Sequence, residues 1–583
     1  MALRAIRQPV PAAAPAAPVT LSVSSPSPIR ERLWNFVPVV LSLTIATSLL
    51  WGSYLAPTVL GVSIITFFGY WLVRSYAVAV AGVVGLRRIK RWKAANWRAK
   101  YCEWLPANPG AESWDWARHM VIIPNYKESE TGLSRTLDSL AAQANAGQIV
   151  VVMAMEGREP GARAKAARLL MRYRTRFGDM FATYHPAGLP NETPGKGSNE
   201  AWAAREAHLR LIEHGGGDIA RYTVTSCDAD AVFHERHFEA LNYLFLTAKD
   251  RYRTFWQPTI FNSNNIWDIP APLRIPDGLS GINRLSNLVM PGSVRFPTSC
   301  YALSWQMLND VDYWDEEVIP EDWHLYLKCS FTFGDAVNVE ALYLPLGNDC
   351  VLTDGYWKTL KAHYAQSVRH AWGASDVPYA WRSSLNRQSP LSRGRKFLLS
   401  GAVTKVHSLW MAQWYLITMG SHLPVFLTDN AGASMPTWWL ARPFQLPGPT
   451  WHFDEILSGD FSGPVGPWLW LSAANLLIYF CLFPLIALIV IEYRTRGPRP
   501  AHVSRLAALG ALAMWPLMAV ITFFFASLPA LHAQLKLASG TGLVYRVAEK
   551  GTRRVAVPGA VMASSAEQII EPLGAAGGGG GGA

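Results

Sequence analysis

The sequence predicts an α/β domain with a largely parallel sheet, set between membrane helices on its N-terminal and C-terminal sides. Three observations carry this. Half of the 583 residues are hydrophobic and only 16% are charged, against roughly 25% charged in soluble domains. Apolar runs of about membrane-spanning length fall at 36–55 and 58–84, and again at about 406–427, 468–491 and 506–530. Between them, over 118–345, short β-rich runs at 119–123, 148–152, 221–226 and 253–257 alternate with helical patterns at 131–143, 161–177, 197–213 and 234–248. That alternation builds parallel sheets.

A chain of this length exceeds one ordinary core, so more than one structural unit is expected. Residues 1–28, rich in Ala, Pro, Val and Ser without periodicity, read as a disordered tail, and the first apolar run begins too late for a cleavable signal peptide. Residues 29–100 hold two membrane helices, the second interrupted by Arg74, whose side chain either snorkels or faces protein. Directly after them come Arg87, Arg88, Lys90, Arg91, Lys93, Arg98 and Lys100, interleaved with Trp92 and Trp97. Positive charge in that place marks the cytosolic side of a membrane. The net charge of +11 therefore points to anionic lipid as partner rather than nucleic acid, for which no binding motif accompanies it. An integral protein of a bacterial plasma membrane, with 101–350 in the cytosol, is the expectation.

Within that domain, Leu133, Leu137 and Leu140 mark the buried stripe of the first helix. Residues 351–397, basic and aromatic, read as interfacial helices, and 398–530 as a membrane region of about three helices. The stretch 428–466 suits the outer side, and 492–505, with Arg494, Arg496, Arg499 and Arg505, the inner side. Five crossings would leave the 531–583 tail and its Gly-rich end outside, against the charge of Lys536, Arg546, Lys550, Arg553 and Arg554. Lys405 and His407 make 398–427 the run least suited to crossing. The six cysteines form no C-x-x-C pair, so free thiols are expected rather than metal ligands or disulfides.

Four groups of residues could carry chemistry. Asp228-Ala-Asp230 follows the β-rich run Tyr222–Ser226 and so sits just past the carboxyl end of a strand, where open α/β sheets bind ligands. Two carboxylates so placed suit a hard divalent cation, Mg2+ or Mn2+, although an ordinary turn often contains such a pair. Pro320-Glu321-Asp322-Trp323-His324 opens a helical run. The helix dipole favours the two acids and a simple cap would look the same, but adjacent acids after Pro also suit a general base. No catalytic role falls to His324. Gln366-Ser-Val-Arg369-His370-Ala-Trp372-Gly373 offers Arg369 to a diphosphate and His370 or Trp372 to a sugar face; by spacing alone, an interfacial helix with a snorkelling Arg is the plainer reading. Pro124-Asn125-Tyr126-Lys127-Glu128 follows the first strand and Glu156 the second. Gly195-Lys196-Gly197-Ser198-Asn199 precedes a helix, where the glycines let backbone approach phosphate without forming a phosphate-loop motif.

Taken in order, these groups resemble the inverting family-2 glycosyltransferases, and within them the membrane-integrated branch of cellulose, chitin and hyaluronan synthases. Val121-Ile-Ile-Pro-Asn-Tyr-Lys-Glu128, with Thr136-Leu-Asp-Ser-Leu-Ala-Ala-Gln143, is similar to that family's opening strand and helix. Asp228-Ala-Asp230 is similar to its D-x-D, Glu321-Asp322 to the E-D of its T-E-D with Pro320 in place of Thr, and Gln366-Ser-Val-Arg369-His370 to its Q-x-x-R-W with His in place of Trp. The likeness covers about 118–375 and the flanking membrane helices. A branch with E-D-W/M-H and R-H-x-W-G in these places looks closer still.

The resemblance implies a GT-A fold, with a Rossmann-like, mostly parallel sheet. It implies inverting transfer of a sugar from a cytosolic nucleotide-sugar, a UDP-sugar being expected, to a polysaccharide or lipid-linked acceptor. It also implies roles. Asp228 contacts the nucleotide and Asp230 ligates the metal. Asp322 is the general base, with Glu321 in support. Pro124, Asn125, Glu128 and Glu156 hold the donor's nucleotide, although Glu156 stands where the family has Asp, and Lys196 belongs to the same donor side. Gln366, Arg369, His370 and Trp372 line the acceptor and diphosphate side. His370 is a poorer stacking platform than Trp, which leaves single addition to a lipid carrier open beside polymer synthesis. A membrane scaffold with a degenerate transferase domain is the rival from another class, and the intact Asp228, Asp230, Glu321 and Asp322 speak against it.

Overall fold

The computed structural model describes residues 28–424, 427 and 476–541; the N-terminal tail, the 428–466 stretch and the Gly-rich end lie outside them. Two helices lead in, α1 (Val37–Leu55) and α2 (Pro57–Ala94). Pro57 stands at the first position of α2, where its missing N–H costs no hydrogen bond.

An eight-stranded sheet follows among the described residues, in the order β3-β2-β1-β4-β7-β6-β8-β5. Its strands are β1 (Arg118–Asn125), β2 (Ile149–Glu156), β3 (Asp179–His185), β4 (Tyr222–Ser226), β5 (Val232–Phe233), β6 (Thr254–Asn262), β7 (Tyr301–Ser304) and β8 (Asn338–Asn348). The first four in sequence pair in parallel, as do β6 and β8. β7 runs antiparallel between β4 and β6, and β5 antiparallel to β8. The sheet is thus mixed but mostly parallel, as expected. β2 is buried along its whole length and reads as a continuous apolar run because helices cover both faces. On one face, α3 (Glu130–Ala141), capped by the Ser129 hydroxyl, sets Leu133, Leu137 and Leu140 against Val121 and Ile123. On the other, α4 (Lys196–His208) sets Ala201, Ala203, Ala204 and Ala207 against Met120, Ile122 and Val152. Successive β1 residues divide between the two cores, as the pleat requires.

α5 (Arg274–Val289) lies between β6 and α2. Its Ser286 Oγ donates to the Val78 carbonyl at 3.0 Å, and Arg74 donates to Asn283 Oδ1 at 3.1 Å, so Arg74 has a protein partner. Gly85 is required where the two helices meet, since a Cβ there would fall 2.6 Å from the Leu285 side chain. Arg88 of α2 donates to the Tyr343 hydroxyl of β8 at 2.6 Å. The chain continues through α6 (Glu321–Phe333), α7 (Tyr356–Ala371), α8 (Asp376–Leu385), α9 (Arg393–Met419) and α10 (Leu482–Thr495). Val368 and Ala371 of α7 share an apolar cluster with Leu49, Leu60, Phe68, Leu416 and Ala530, which joins the domain to the long apolar helices.

Four described segments are long and apolar enough to cross a membrane: Arg32–Leu55, Pro57–Ala94, Leu476–Thr495 and Arg505–Ser539. The apolar run at 406–427 falls largely in α9, which is not among them; Arg393, Arg395, Lys396 and Lys405 charge that helix. All six cysteines are free.

Candidate active site

The carboxyl end of β4, the first turns of α4 and α6, and the loop before β7 converge on one cluster. The Nζ of Lys196 lies 3.0 Å from Asp228 Oδ1 and 3.0 Å from Glu321 Oε1, and donates to the Ser299 carbonyl at 2.6 Å. Ser299 has a φ of 61°, the left-handed region that a residue with a Cβ enters at a cost of about 1–2 kcal/mol. In that conformation its N–H donates to Asp322 Oδ2 at 3.0 Å and its hydroxyl donates to Asp228 Oδ2. The Asn348 amide at the end of β8 donates at 3.0 Å to both Asp228 Oδ2 and Ser299 Oγ. Asp230 is buried and its Oδ2 accepts from the Asp349 backbone N–H at 2.7 Å. The Asp349 carboxylate in turn meets Arg135 of α3 at 2.5 Å and the Asn264 amide at 3.0 Å.

The charges are matched to this packing. Burial disfavours a charged Lys196, but Asp228, Glu321 and Glu200 outweigh it and hold the ammonium well above its usual range. Burial and the neighbouring Glu321 carboxylate push Asp322 up to about 7, against the Ser299 N–H and Lys196. Glu200, one turn beyond Lys196 on α4, is fully buried with Oε1 accepting from the Ser226 hydroxyl at 2.7 Å. Burial raises it to about 8, against the pull of Lys196.

The opening motif sits at the end of β1. Glu128 Oε2 accepts from the Asn125 amide at 3.2 Å and from the Tyr126 N–H at 2.6 Å, and Pro124 lies within the strand. At the end of β2, Glu156 is buried, with Arg158 Nε at 3.0 Å and His185 Nδ1 at 3.5 Å from its Oε2. Arg158 also covers the Tyr126 ring, 4.4 Å from its centre. Burial opposes charge on His185, yet Glu156 and Glu192 together raise its pKa.

On the third side, Gln366 and Arg369 of α7 are half-buried and His370 is exposed, within electrostatic range of Asp228. Trp372 is partly buried against the apolar cluster shared with the long apolar helices.

The structure therefore brings Lys196, Asp228, Glu321 and Asp322 into one connected cluster. It leaves Pro124, Asn125, Glu128 and Glu156 on the β1–β2 side and packs Trp372 against the apolar cluster that includes Leu49, Leu60 and Phe68. Sequence reasoning missed Ser299, Glu200, Asn348, Asp349 and Arg135. Glu200 had a signal, four residues after Lys196 on a helix; Ser299 and Arg135 had none, because their partners lie 71 and 214 residues away.

Asp228 and Asp230 offer oxygen ligands only. Among the described residues no group of three or more His, Cys, Asp or Glu side chains could hold an ion. Mg2+ is commonly held by one or two carboxylates together with substrate phosphates and water. The pair therefore fits a cation shared with a bound diphosphate rather than one caged by protein.

A mostly parallel sheet with one acid pair past a strand end and another at a helix start, flanked by long apolar helices, defines the class: a glycosyltransferase of α/β fold. Residues 223–526, just over half of the chain, match the family described as Glycosyl transferase family group 2, and the chain belongs to that family. No curated protein matches it. Among solved structures it is similar to the mannosyltransferase PcManGT from Pyrobaculum calidifontis in complex with GDP-Man and Mn2+, at 15% identity and a TM-score of 0.37 over 72% of this chain and 99% of that one. It is similar to TarS of S. aureus at 12% identity and a TM-score of 0.30, over 52% and 47% of the two chains. It is also similar to glucosyl-3-phosphoglycerate synthase from Mycobacterium tuberculosis in complex with Mn2+, UDP and phosphoglyceric acid, at 13% identity and a TM-score of 0.28 over 48% and 82%.

Proposed function

We propose that this enzyme transfers a sugar, with inversion, from a cytosolic nucleotide-sugar held at Asp228 and Asp230 to a hydroxyl of a saccharide or lipid-linked acceptor. Asp322 is the general base and Glu321 supports it. The observation that carries this reading is the bridge made by Lys196 and Ser299, which fastens Asp228 to Glu321 and Asp322. A donor at one acid pair then presents its anomeric carbon to an acceptor at the other.

The reaction is one displacement. The acceptor hydroxyl gives its proton to Asp322, its oxygen bonds to the anomeric carbon, and the bond to the nucleoside diphosphate breaks. A base near 7 is partly ionised at neutral pH and still accepts a proton readily. Mg2+ or Mn2+, when bound at Asp228 and Asp230, supplies charge neutralisation for the leaving diphosphate. Lys196 pairs with both the Asp228 and the Glu321 carboxylates. Pro124, Asn125, Glu128 and Glu156 hold the nucleotide, with Glu156 oriented by Arg158 and His185. Gln366, Arg369 and His370 face the acceptor and diphosphate, and Trp372 steadies their helix.

The basic 87–100 segment supports a cytosolic 101–350 catalytic domain, with 351–397 at the membrane interface. Full-length protein in lipid nanodiscs, supplied with a panel of UDP- and GDP-sugars and Mg2+ or Mn2+, tests the reading. Asp322→Asn should abolish transfer while nucleotide binding persists, and an undiminished variant would sink the mechanism. Radiolabelled product separates polymer synthesis, which gives a ladder, from single addition, which gives one species.

A further inference from the structure

His324 lies in the first turn of α6, two residues after Asp322. Its Nδ1 is 2.7 Å from Asp376 Oδ1 at the start of α8, and its Nε2 is 3.0 Å from Asp315 Oδ2 in the loop before α6. An ionised carboxylate only accepts, so a ring meeting one at each nitrogen donates from both and is an imidazolium. The surroundings fit that charge. Asp376 is fully buried, with its Oδ2 lacking a hydrogen-bond partner. Asp315 also takes Lys328 Nζ at 2.5 Å, and the Tyr379 ring of α8 covers the imidazole at 4.1 Å. Lys328 and His324 balance Asp315 and Asp376 only while the ring holds its proton; burial raises the Asp376 carboxyl against the pull of the His324 ring, and Glu321 is a further charged neighbour on the α6 side.

The ring thus joins two segments with different tasks. α6 carries Glu321 and Asp322; α8 follows, across the short 3-10 turn Trp372–Ser375, from α7, which carries Gln366, Arg369 and His370. We propose that His324 is a positioning residue: its imidazolium, clasped between Asp315 and Asp376, fixes the first turn of α6 against α8 and so sets where the Asp322 carboxylate meets the acceptor hydroxyl. This rests on the reading of Asp322 as base. Burial alone would discharge the ring, but Asp315 and Asp376 overcome it and raise its pKa to about 9. Above that pH the ring loses its second N–H donor and the clasp opens, so turnover falls on the alkaline side.

The test uses full-length protein in nanodiscs and the nucleotide-sugar that the wild-type chain turns over fastest, with kcat and donor KM followed from about pH 5.5 to about pH 10. His324→Gln should lower kcat by about 10–100-fold, as a displaced reacting group does, with donor KM within about twofold because the donor is held elsewhere. Asp315→Asn, at a side chain 30% exposed, removes one charge from the clasp and should move the alkaline midpoint to lower pH by about one unit or more. A His324→Gln enzyme with wild-type kcat, or an alkaline midpoint unmoved in Asp315→Asn, overturns the proposal; if His324→Gln does not fold, Asp315→Asn decides alone. Asp322→Asn separates the two claims. Full activity there ends the reading of the base itself, whereas loss of activity there with unchanged His324→Gln and Asp315→Asn ends only the positioning role.

Discussion

Replacing Lys196 by methionine removes one charge from the centre of the cluster at nearly constant volume. Its Nζ stands 3.0 Å from each of two carboxylates, and the three side chains are 11%, 25% and 12% exposed. At an effective dielectric constant of about 20, each contact is an attraction of about 5 kcal/mol before desolvation. Desolvation of the ammonium offsets much of this, and removing one partner of a buried pair costs about 3–5 kcal/mol net. For a domain of this size that lowers the melting temperature by about 6–20 °C. Turnover should suffer as well, by about 100–1,000-fold, because the bridge between Asp228 and Glu321 is gone. Thermal melts of the purified protein, with donor turnover on the same samples, read both. A Lys196→Met protein that melts within about 2 °C of wild type and keeps its turnover would refute the view that this lysine joins the two acid pairs.

Chelation should abolish transfer, and either Mg2+ or Mn2+ added back should restore it in wild type but not in Asp230→Ala, as followed by release of nucleoside diphosphate. The wild-type rate should rise as pH passes upward through about 7, because Asp322 must lose its proton to act as base; a pH–rate profile flat from about 5.5 to 8 would contradict that role. Ser299→Ala removes a hydroxyl donor to Asp228 and should cost about 1.5–3 kcal/mol in kcat/KM, on the order of 10–100-fold, measured by steady-state kinetics. Gly85→Ala sets a methyl against Leu285 and should destabilise the α2–α5 contact by about 1–3 kcal/mol, seen as an earlier melt in detergent.

Much of the domain was legible because its periodicity is local. The β-rich runs at 119–123, 148–152, 221–226 and 253–257 fall in β1, β2, β4 and β6, and the Leu133–Leu137–Leu140 stripe is the buried face of α3. The rest of the sheet was not read: β3 and β8 went unmarked. β7 has four residues and β5 two, too few for a period to show, and α5 stands where no strand–helix rhythm marks it. At the site the same division holds. Asp228, Lys196, Glu321 and Asp322 were visible from their positions past strands and at helix starts. Ser299 was invisible, because its role comes from a left-handed backbone and from partners just past β4 and in α4, α6 and β8. Arg135, on α3, looks like an ordinary surface charge until Asp349 is folded against it.

The length of α2 has a mechanical consequence. Its 38 residues at 1.5 Å each span about 57 Å, nearly twice the ~30 Å hydrocarbon core of a bilayer. One unbroken rod of candidate membrane-spanning length therefore runs into the α/β domain, where it is fastened to α5 at Gly85 and Ser286 and to β8 through Arg88. A rod held along its side cannot act as a hinge. With the apolar part of α2 in a bilayer, as the proposed membrane reading has it, the cleft would stand at a set height above the lipid. An acceptor anchored in the bilayer must lift its hydroxyl to that height, so the distance from its anchor to its reactive end is a selection the rod imposes before any side chain touches the sugar.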